Sequence, residues 1–240
     1  KMGVRNCTFL GNKYAAWMPV WCTYGVHAYR KGWTWVVNQK GCGIIGGADG
    51  QYPWSFISMW RSDPAMAGEI RWSFSNKLEG PNVITAQLVW DWQVLNIMYD
   101  SLIVRDPYDL SRDFGFLALH KPGPDGVWNS ADDELGWSEG TWLLGGKTCS
   151  YVNFTLREEV KFHDGTPLTP EDVKFSLEFT RDCGPGVAWN YCPACTELYE
   201  VTTWDNRATC GGWGVVVWFS TITPWARHWA GYMPIISKDI

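Results

Sequence analysis

The chain has 240 residues, a net charge of −5 and a charged fraction of only 19%. This length is enough for one large domain or two small ones with a substantial core. The mild acidity and the lack of any basic run argue against a nucleic-acid partner. The longest apolar run, Val215 to Phe219, has the length of a strand and is far too short to cross a bilayer.

The first 67 residues are rich in tryptophan and glycine. Apolar stretches at 17–26 and 33–37 predict strands, and residues 54–60 predict a third short element. Gly41, Gly43 and Gly46 match the G-x-G-x-x-G dinucleotide fingerprint. The Gly-Ala-Asp-Gly sequence that follows is unsuited to open the helix on which that fingerprint depends, so we interpret the stretch as a loop.

From Gly68 onward the predicted elements follow one another more regularly. A strand is predicted at 70–74, and the spacing of apolar side chains predicts an amphipathic helix at 94–102. The buried face of that helix is expected to contain Val94, Ile97, Met98 and Leu102. Near the other end of the chain, 198–201 and 215–219 predict an antiparallel pair of strands.

An insertion at 121–146 concentrates side chains that carry oxygen. Five of them lie within ten residues: Asp125, Asn129, Asp132, Asp133 and Glu134. Ca²⁺ takes roughly six to eight hard oxygen ligands, which a glycine-containing loop can fold around the ion. Because the spacing is not that of an EF-hand, a solvated acidic loop and a calcium site both stay open. We expect no cofactor, and calcium is the alternative that this loop leaves open.

The segment 151–179 has the clearest local pattern in the chain. Apolar and polar residues alternate in its first half, from Val152 to Phe162, which predicts a half-buried strand. The sequence His-Asp-Gly-Thr at 163–166 then predicts a turn in which Gly165 adopts a positive φ.

A helix is predicted directly after this turn. Thr169 is expected to cap it, Pro170 occupies the first helical position, and Asp172 completes a capping box. The residues expected on its buried face are Val173, Phe175, Ser176 and Leu177.

This strand, turn and helix resemble the signature of family 5 of the extracytoplasmic solute-binding proteins, the dipeptide, oligopeptide and nickel type. The resemblance is carried by Leu-Arg-Glu-Glu-Val-Lys-Phe-His-Asp-Gly-Thr-Pro-Leu-Thr-Pro-Glu-Asp-Val-Lys-Phe-Ser at 156–176. Tyr-Asp-Ser-Leu at 99–102 and Met-Pro-Ile-Ile-Ser-Lys-Asp-Ile at 233–240 extend it, although Ser237 replaces a proline of the family pattern. The resemblance covers residues 68–240.

The resemblance implies a mixed α/β fold of the periplasmic-binding-protein type, class II. Residues 68–240 would form its first lobe, and residues 1–67 would be the return segment of a preceding or permuted copy. Relatives continue into a second lobe, so we expect a fragment that lacks the complete second lobe. In the family, two lobes close about a hinge and trap the ligand between them.

The resemblance also indicates which residues face the ligand. The region just before the first predicted helix lines the interlobe cleft in relatives, and it contains Gln87, Trp90, Asp91 and Trp92. Indole rings suit such a cleft because they combine a rigid apolar surface with a hydrogen-bond donor. Trp189 and Tyr191 are further candidates, and a place in the core is the alternative for the tryptophans.

Eight cysteines and two N-glycosylation sequons, at Asn6 and Asn153, favour an oxidising extracellular setting. Cys192 and Cys195 form a C-x-x-C pair that we interpret as a structural disulfide. The alternatives are a zinc site completed by Cys183 and Cys210 and a redox motif.

The predicted function is therefore binding rather than catalysis, because none of the four histidines lies in a nucleophile motif. We expect an extracytoplasmic peptide-binding protein whose partners are a peptide and an ABC-transporter permease. Membrane association would come only through the transporter or through an anchor outside this sequence. The alternative is a secreted, self-assembling surface protein, a homo-oligomer that has reused a solute-binding lobe.

Overall fold

The computed structural model describes residues 28–29, 31–39, 44, 54–65, 68–71, 73, 77–80, 82–86, 88–109, 111–183, 195–209 and 211–239. Within these residues the fold is mixed α/β, as the sequence predicts. The elements, in chain order, are β1 (Trp33–Thr34), α1 (Trp54–Ser58), β2 (Trp60–Arg61), α2 (Val89–Met98), β3 (Ile103–Arg105), β4 (Asp113–Gly115), β5 (His120–Lys121), β6 (Glu134–Leu135), β7 (Trp137–Leu144), β8 (Lys147–Thr155), α3 (Pro170–Cys183), β9 (Leu198–Asp205), β10 (Trp213–Phe219) and α4 (Ala226–Gly231).

A four-stranded antiparallel sheet in the order β7-β8-β10-β9 forms the centre of the fold. Strand β10 is rich in β-branched and aromatic residues, which favour the extended backbone of a central strand. The predicted pairing of 198–201 with 215–219 is confirmed, since β9 pairs with β10 along its length. In β8, Val152 and Phe154 are fully buried on one face, and Tyr151, Asn153 and Thr155 lie half-buried on the other.

A two-glycine turn connects β7 to β8. Gly145 and Gly146 have φ values of +57° and +84°, and Leu144 pairs with Lys147 directly across the turn. Positive φ at both central residues matches the twist of the flanking strands, and glycine reaches it without steric cost. This turn therefore fixes the register of the β7–β8 hairpin.

Aromatic side chains cover the half-buried side of the sheet, which we call the outer aromatic face; it consists of Trp142, Tyr151, Tyr199, Trp204 and Trp218. The three indole N–H groups donate to Phe219 O at 3.1 Å, Asn153 Oδ1 at 2.9 Å and Thr202 Oγ1 at 3.0 Å. Because each indole N–H reaches an acceptor on another strand of the sheet, the rings lie along the sheet. A Cβ at Gly140 would come within 2.5 Å of the Tyr151 ring, so only glycine leaves room for that ring.

Helix α3 packs against the opposite side of the sheet. Val173 and Leu177 are completely buried there, together with Val152, Phe154 and Val217 from the strands. Burying each such side chain stabilises the fold by about 1.5–3 kcal/mol. The predicted apolar stripe of this helix is thus confirmed, although Phe175 is only half-buried and stacks on Phe179.

The start of α3 agrees with the predicted cap in part. The Asp172 carboxylate accepts from the Thr169 N–H at 2.9 Å, which is the reciprocal bond of a capping box. The Thr169 hydroxyl donates to the same carboxylate at 2.6 Å instead of accepting from the first turn of the helix. Asp172 also accepts from the backbone N–H of Lys238 at 3.0 Å, so it ties the helix to the last described residues.

The prediction for the first long helix was wrong in its phase. Helix α2 begins at Val89 and ends at Met98, and it buries Asp91, Leu95 and Asn96 rather than the predicted apolar stripe. Ile97 and Met98 are 40% and 52% exposed. The helix buries Asp91 because neighbouring backbone N–H groups bind its carboxylate, a polar interaction that apolar periodicity does not register.

Other predicted boundaries also differ from the structure. The strand expected to reach Phe162 ends at Thr155, and beyond it Leu156 and Lys161 form only isolated bridges to Ala118 and Pro167. The element predicted at 54–60 contains helix α1, and β1 is limited to two residues. Residues 70, 71 and 73 are not in a strand. The apolar stretch at 17–26 and the glycine fingerprint lie outside the described residues, apart from Ile44.

Candidate functional site

A cavity of about 300 Å³ lies between the end of α2, the turn at 160–168, which we call the signature turn, and residues 235–237. We call it the α2 cavity. Its floor consists of Leu117, Leu168 and Ile235, which are at most 5% exposed. Val160 and Phe162 add half-buried apolar surface from the signature turn. A concave, mostly apolar pocket with a few polar groups is the usual form of a ligand site.

Short-range bonds hold the signature turn in one shape. The Phe162 N–H donates to Thr166 O at 2.8 Å, and the Gly165 N–H donates to Phe162 O at 2.9 Å. Gly165 has a φ of +91°, as the sequence predicts for this turn. The Asp164 carboxylate accepts from the N–H and the hydroxyl of Thr166, and these bonds lower its pKa. The wall of the cavity is therefore preorganised.

Charged side chains line the same cavity. Asp100 follows α2, and Lys161, His163 and Asp164 belong to the signature turn. Although Asp100 is exposed on one side, the surrounding protein removes enough water to raise its pKa, an effect that the nearby charge of His163 partly opposes. The Asp100 carboxylate accepts no hydrogen bond from the described part of the chain, so it can accept one from a ligand.

The residues predicted to face a ligand at the start of α2 have varied surroundings. Asp91 is 1% exposed, and its carboxylate accepts from the backbone N–H groups of Glu79 and Gly80 at 3.1 and 3.3 Å. Trp92 packs against a small apolar cluster and donates to Ala86 O at 3.1 Å. Trp90 is half-buried, and its Nε1 is buried with no partner among the described residues. Ligand contact by these residues stays a prediction.

The acidic insertion brings three of its five predicted calcium ligands together. Carboxylate oxygens of Asp125, Asp132 and Asp133 lie within 4.8 Å of one another. The side chains of Asn129 and Glu134 turn elsewhere: Asn129 donates to Asp106 at 2.5 Å, and Glu134 pairs with Lys121 at 3.3 Å. Three clustered carboxylates are fewer ligands than calcium prefers, so a calcium site stays a prediction.

Asp133 has a second set of contacts that organise the insertion. Its carboxylate accepts from His120 Nε2 at 2.6 Å and from the backbone N–H groups of Gly123 and Asn129. The His120 Nδ1 accepts from the Gly115 N–H at 3.0 Å, which assigns the ring proton to Nε2. Phe114 lies 4.3 Å from the His120 ring, measured between centroids. The contact between His120 and Asp133 is therefore explained by the packing of this loop.

The comparison with known families matches the segment that forms the wall of the α2 cavity. Residues 149–201 match the family described as "Bacterial extracellular solute-binding proteins, family 5 Middle". We call residues 149–201 the family 5 segment because of this match. The family 5 segment contains most of β8, the signature turn, α3 and the beginning of β9.

Curated relatives of this chain include two proteins of Agrobacterium fabrum. "Probable peptide-binding protein YejA" is 31% identical over 97 residues, which cover 40% of this chain and 12% of that protein. "Peptidoglycan-binding protein YepA" is 26% identical over 100 residues, or 42% of this chain and 13% of that protein. The matched stretch is thus about an eighth of the length of either relative.

Two solved structures show a distant likeness. The structure of NikZ from Campylobacter jejuni in complex with Ni(L-His) is 14% identical with a TM-score of 0.43, and the likeness covers 67% of this chain and 26% of that chain. NikA from Staphylococcus aureus in complex with Ni(L-His)2 is 17% identical with a TM-score of 0.37, covering 60% of this chain and 23% of that chain. At such low sequence identities and TM-scores, these two structures give no information about what this chain binds.

Several predicted features of the family 5 segment and its neighbours stay predictions. Gln87, Trp189, Tyr191, Cys192 and Asn6 lie outside the described residues, and Cys195 begins a short 3-10 helix. Cys149 and Cys183 are free cysteines. Asn153 lies in a central strand, where its Oδ1 accepts from Trp204, so its glycosylation would have to compete with the sheet. No helix among the described residues is both long and apolar enough to span a bilayer.

Sequence reasoning missed the α2 cavity because its lining comes from distant parts of the chain. Asp100 and Lys161 were present in the quoted family motifs, but the motifs alone did not show that the two lie in one cavity. The available signal was that Tyr-Asp-Ser-Leu, the signature turn and the Pro-Ile-Ile-Ser stretch all carry the family resemblance. Three stretches that resemble the same family, although they lie in separate regions of the chain, indicate that they form one site in the folded protein.

Proposed function

We propose that the chain is part of an extracytoplasmic receptor that binds peptides for uptake by an ABC importer. The observation that carries this proposal is that the family 5 segment supplies one wall of the α2 cavity. The relative described as a probable peptide-binding protein favours a peptide over other solutes. Binding rather than catalysis is part of this proposal, and the match of residues 149–201 to a family of solute-binding proteins supports it.

The proposed mechanism is capture in a cleft between this lobe and a second one, followed by delivery to the permease. Gln87, Trp90, Trp92, Trp189 and Tyr191 would contact the peptide. The buried Nε1 of Trp90, which has no partner in the described part of the chain, supports this role, because a buried donor without a partner costs about 1–3 kcal/mol and a peptide carbonyl would satisfy it.

Isothermal titration calorimetry of the 240-residue chain with a library of di- to pentapeptides tests the proposal. We expect saturable binding that weakens by about fivefold to tenfold in Trp90→Phe, which removes the indole donor but keeps an aromatic ring. Trp225→Phe is the matched control, since Trp225 is 58% exposed and lines neither candidate site. Folded protein that binds none of the peptides would contradict the proposal.

The outer aromatic face supports a second candidate function, self-assembly of a secreted surface protein. Tyr199 is 47% exposed there, and the indole donors of that face are already used within the sheet, so the rings offer only apolar surface to a partner. The native mass separates the two candidates. Large assemblies that bind no peptide, and that Tyr199→Ser dissociates, would favour assembly, whereas a peptide-binding monomer would favour transport.

A further inference from the structure

Strand β7 forms one edge of the central sheet, and no described residue pairs with the side that points away from β8, which we call the β7 edge. The strand pairs with β8 along its whole length. The two-glycine turn places Leu144 opposite Lys147 as a hydrogen-bonded pair, and such pairs alternate along an antiparallel ladder. The backbone N–H and C=O groups of Glu139, Thr141 and Leu143 therefore point outward and can pair with another strand.

The opposite edge of the sheet is protected, whereas the β7 edge is not. In β9 the register shifts next to Phe219, and the Tyr199 C=O accepts from Arg181 Nη1 at 3.1 Å. Native proteins block edge strands with such irregularities, with prolines or with charged side chains. Strand β7 has no proline and keeps one register throughout, and its one charged side chain, Glu139, is paired with Arg227 at 3.1 Å. The β7 edge is therefore open to the addition of a strand.

The residues of β7 fit a second copy of the same strand. In an antiparallel pair with a two-fold axis at Gly140, Glu139 lies opposite Thr141 of the second copy, and Trp137 lies opposite Leu143. This register joins residues whose backbone groups point outward. The Thr141 hydroxyl can donate to the Glu139 carboxylate, and Leu143, which is 69% exposed, can cover the half-buried Trp137. Because an arginine of α4 already neutralises Glu139, the two copies bring no unpaired charge together.

We propose that the protein forms a two-fold dimer in which the β7 strands of two copies pair antiparallel and join the two central sheets into one. The assembly closes at two copies, because the pairing uses the β7 edge of both. This inference goes beyond the proposed peptide binding and does not depend on it. It also differs from assembly through the outer aromatic face, since the contact is made by the backbone of an edge strand.

Sedimentation velocity of the 240-residue chain over a range of concentrations tests the inference. A strand edge buries less than the roughly 1,200–2,000 Å² of a stable interface, so we expect a reversible dimer with a dissociation constant on the order of 10 μM. Thr141→Pro removes an outward N–H but no bond to β8, and Leu143→Lys places a charge at the edge. Each should weaken the dimer by about tenfold or more.

Two variants serve as matched controls. Thr141→Ser keeps the backbone N–H, and Tyr199→Lys places the same new charge on the other edge strand, at a side chain that is also exposed. Both should leave the dimer unchanged. Circular dichroism and thermal melting establish that every variant is folded before its association is measured.

Trapping with cysteines tests the register. Opposite residues of a hydrogen-bonded antiparallel pair have Cα atoms about 5.5 Å apart, which is within the reach of a disulfide. A mixture of Glu139→Cys and Thr141→Cys proteins should therefore form a disulfide-linked dimer faster than either protein alone. Equal rates for the mixture and the separate proteins would contradict the pairing about Gly140.

The remaining outcomes are equally decisive. A folded protein that is monomeric at every concentration would overturn the inference. A dimer that neither Thr141→Pro nor Leu143→Lys weakens, or one that Tyr199→Lys dissociates, would also overturn it, because the contact would then lie elsewhere. Particles larger than a dimer would contradict the closed two-fold pair. Peptide titrations of the same samples are read separately, so the failure of one proposal is distinguished from the failure of the other.

Discussion

Asp133 shows how one carboxylate can hold a loop of the fold. Burial raises its pKa, but hydrogen bonds from His120 and from the N–H groups of Gly123 and Asn129 outweigh burial and lower the pKa to about 2. A carboxyl group with a lowered pKa in the folded state adds stability above its ordinary value of 3.8. That stability is lost as the pH falls from 3.8 through about 2.

Replacing Asp133 should therefore destabilise the protein in a pH-dependent manner. We expect Asp133→Asn to lower the free energy of unfolding by about 1–3 kcal/mol at pH 7, because buried donors lose a charged acceptor. The loss should shrink toward pH 2, where the wild-type carboxyl group is also becoming protonated. Urea unfolding at several pH values measures this. Glu134→Gln, which breaks only an exposed ion pair, should change stability little, and an equal effect in both variants would refute the argument.

A substitution at Asp91 can distinguish a structural role of this residue from a role in ligand binding. Both of its carboxylate oxygens accept backbone N–H groups from residues 79 and 80. In Asp91→Asn one oxygen becomes an NH₂ group that faces a donor, so we expect a loss of about 1–3 kcal/mol in unfolding free energy. Thermal and urea unfolding test this. Unchanged stability combined with lost peptide binding would show instead that Asp91 serves the ligand.

At the level of elements, the beginning of α3 depends on one side chain. Asp172 accepts from the N–H and hydroxyl of Thr169 and from the N–H of Lys238. We expect Asp172→Ala to cost about 2 kcal/mol or more, since it removes the cap and unties residues 235–239 from the helix. Glu171→Ala is the control, because Glu171 is exposed in the same helical turn. Chemical denaturation that ranks the two variants equally would argue against the cap.

The same elements show what local pattern can and cannot predict. Turn and cap residues such as Gly165 and Asp172 were predicted correctly because their roles depend on neighbours within a few residues. The buried face of α2 was predicted wrongly. That face is determined by contacts with residues 79, 80 and 83–86, and the spacing of apolar residues within the helix carries no information about such contacts. The strand after Tyr151 was predicted too long, since its later residues turn away toward the α2 cavity.

On the scale of the whole molecule, the sheet order sets a ranking of local stability. Strands β8 and β10 are paired on both sides, whereas β7 and β9 are edge strands. We therefore expect amide hydrogen exchange to be slowest in β8 and β10 and faster in β7, none of whose residues is buried. Exchange measured by mass spectrometry or NMR tests this ranking. Slowest exchange in β7 would contradict the strand order.

The candidate site lies at the limit of what one sequence predicts. The family resemblance located the signature turn, and the comparison with known families confirmed it for residues 149–201. The α2 cavity required three-dimensional structure, because Asp100, Lys161 and Ile235 come together only through the path of the chain between them. The predicted calcium ligands illustrate the converse, since residues close in sequence, such as Asn129 and Asp133, direct their side chains to different partners.

The turn at Gly145 and Gly146 has a consequence for how the chain acquires its fold. Strands β7 and β8 can meet as soon as both are synthesised, because a short hairpin closes in about 1–10 μs. Strands β9 and β10 likewise pair with each other through a short connection. The contact between β8 and β10 joins two hairpins that are distant in the chain, and closing so long a loop is entropically slow. We therefore expect the docking of the two preformed hairpins, rather than the formation of either hairpin, to limit the folding rate.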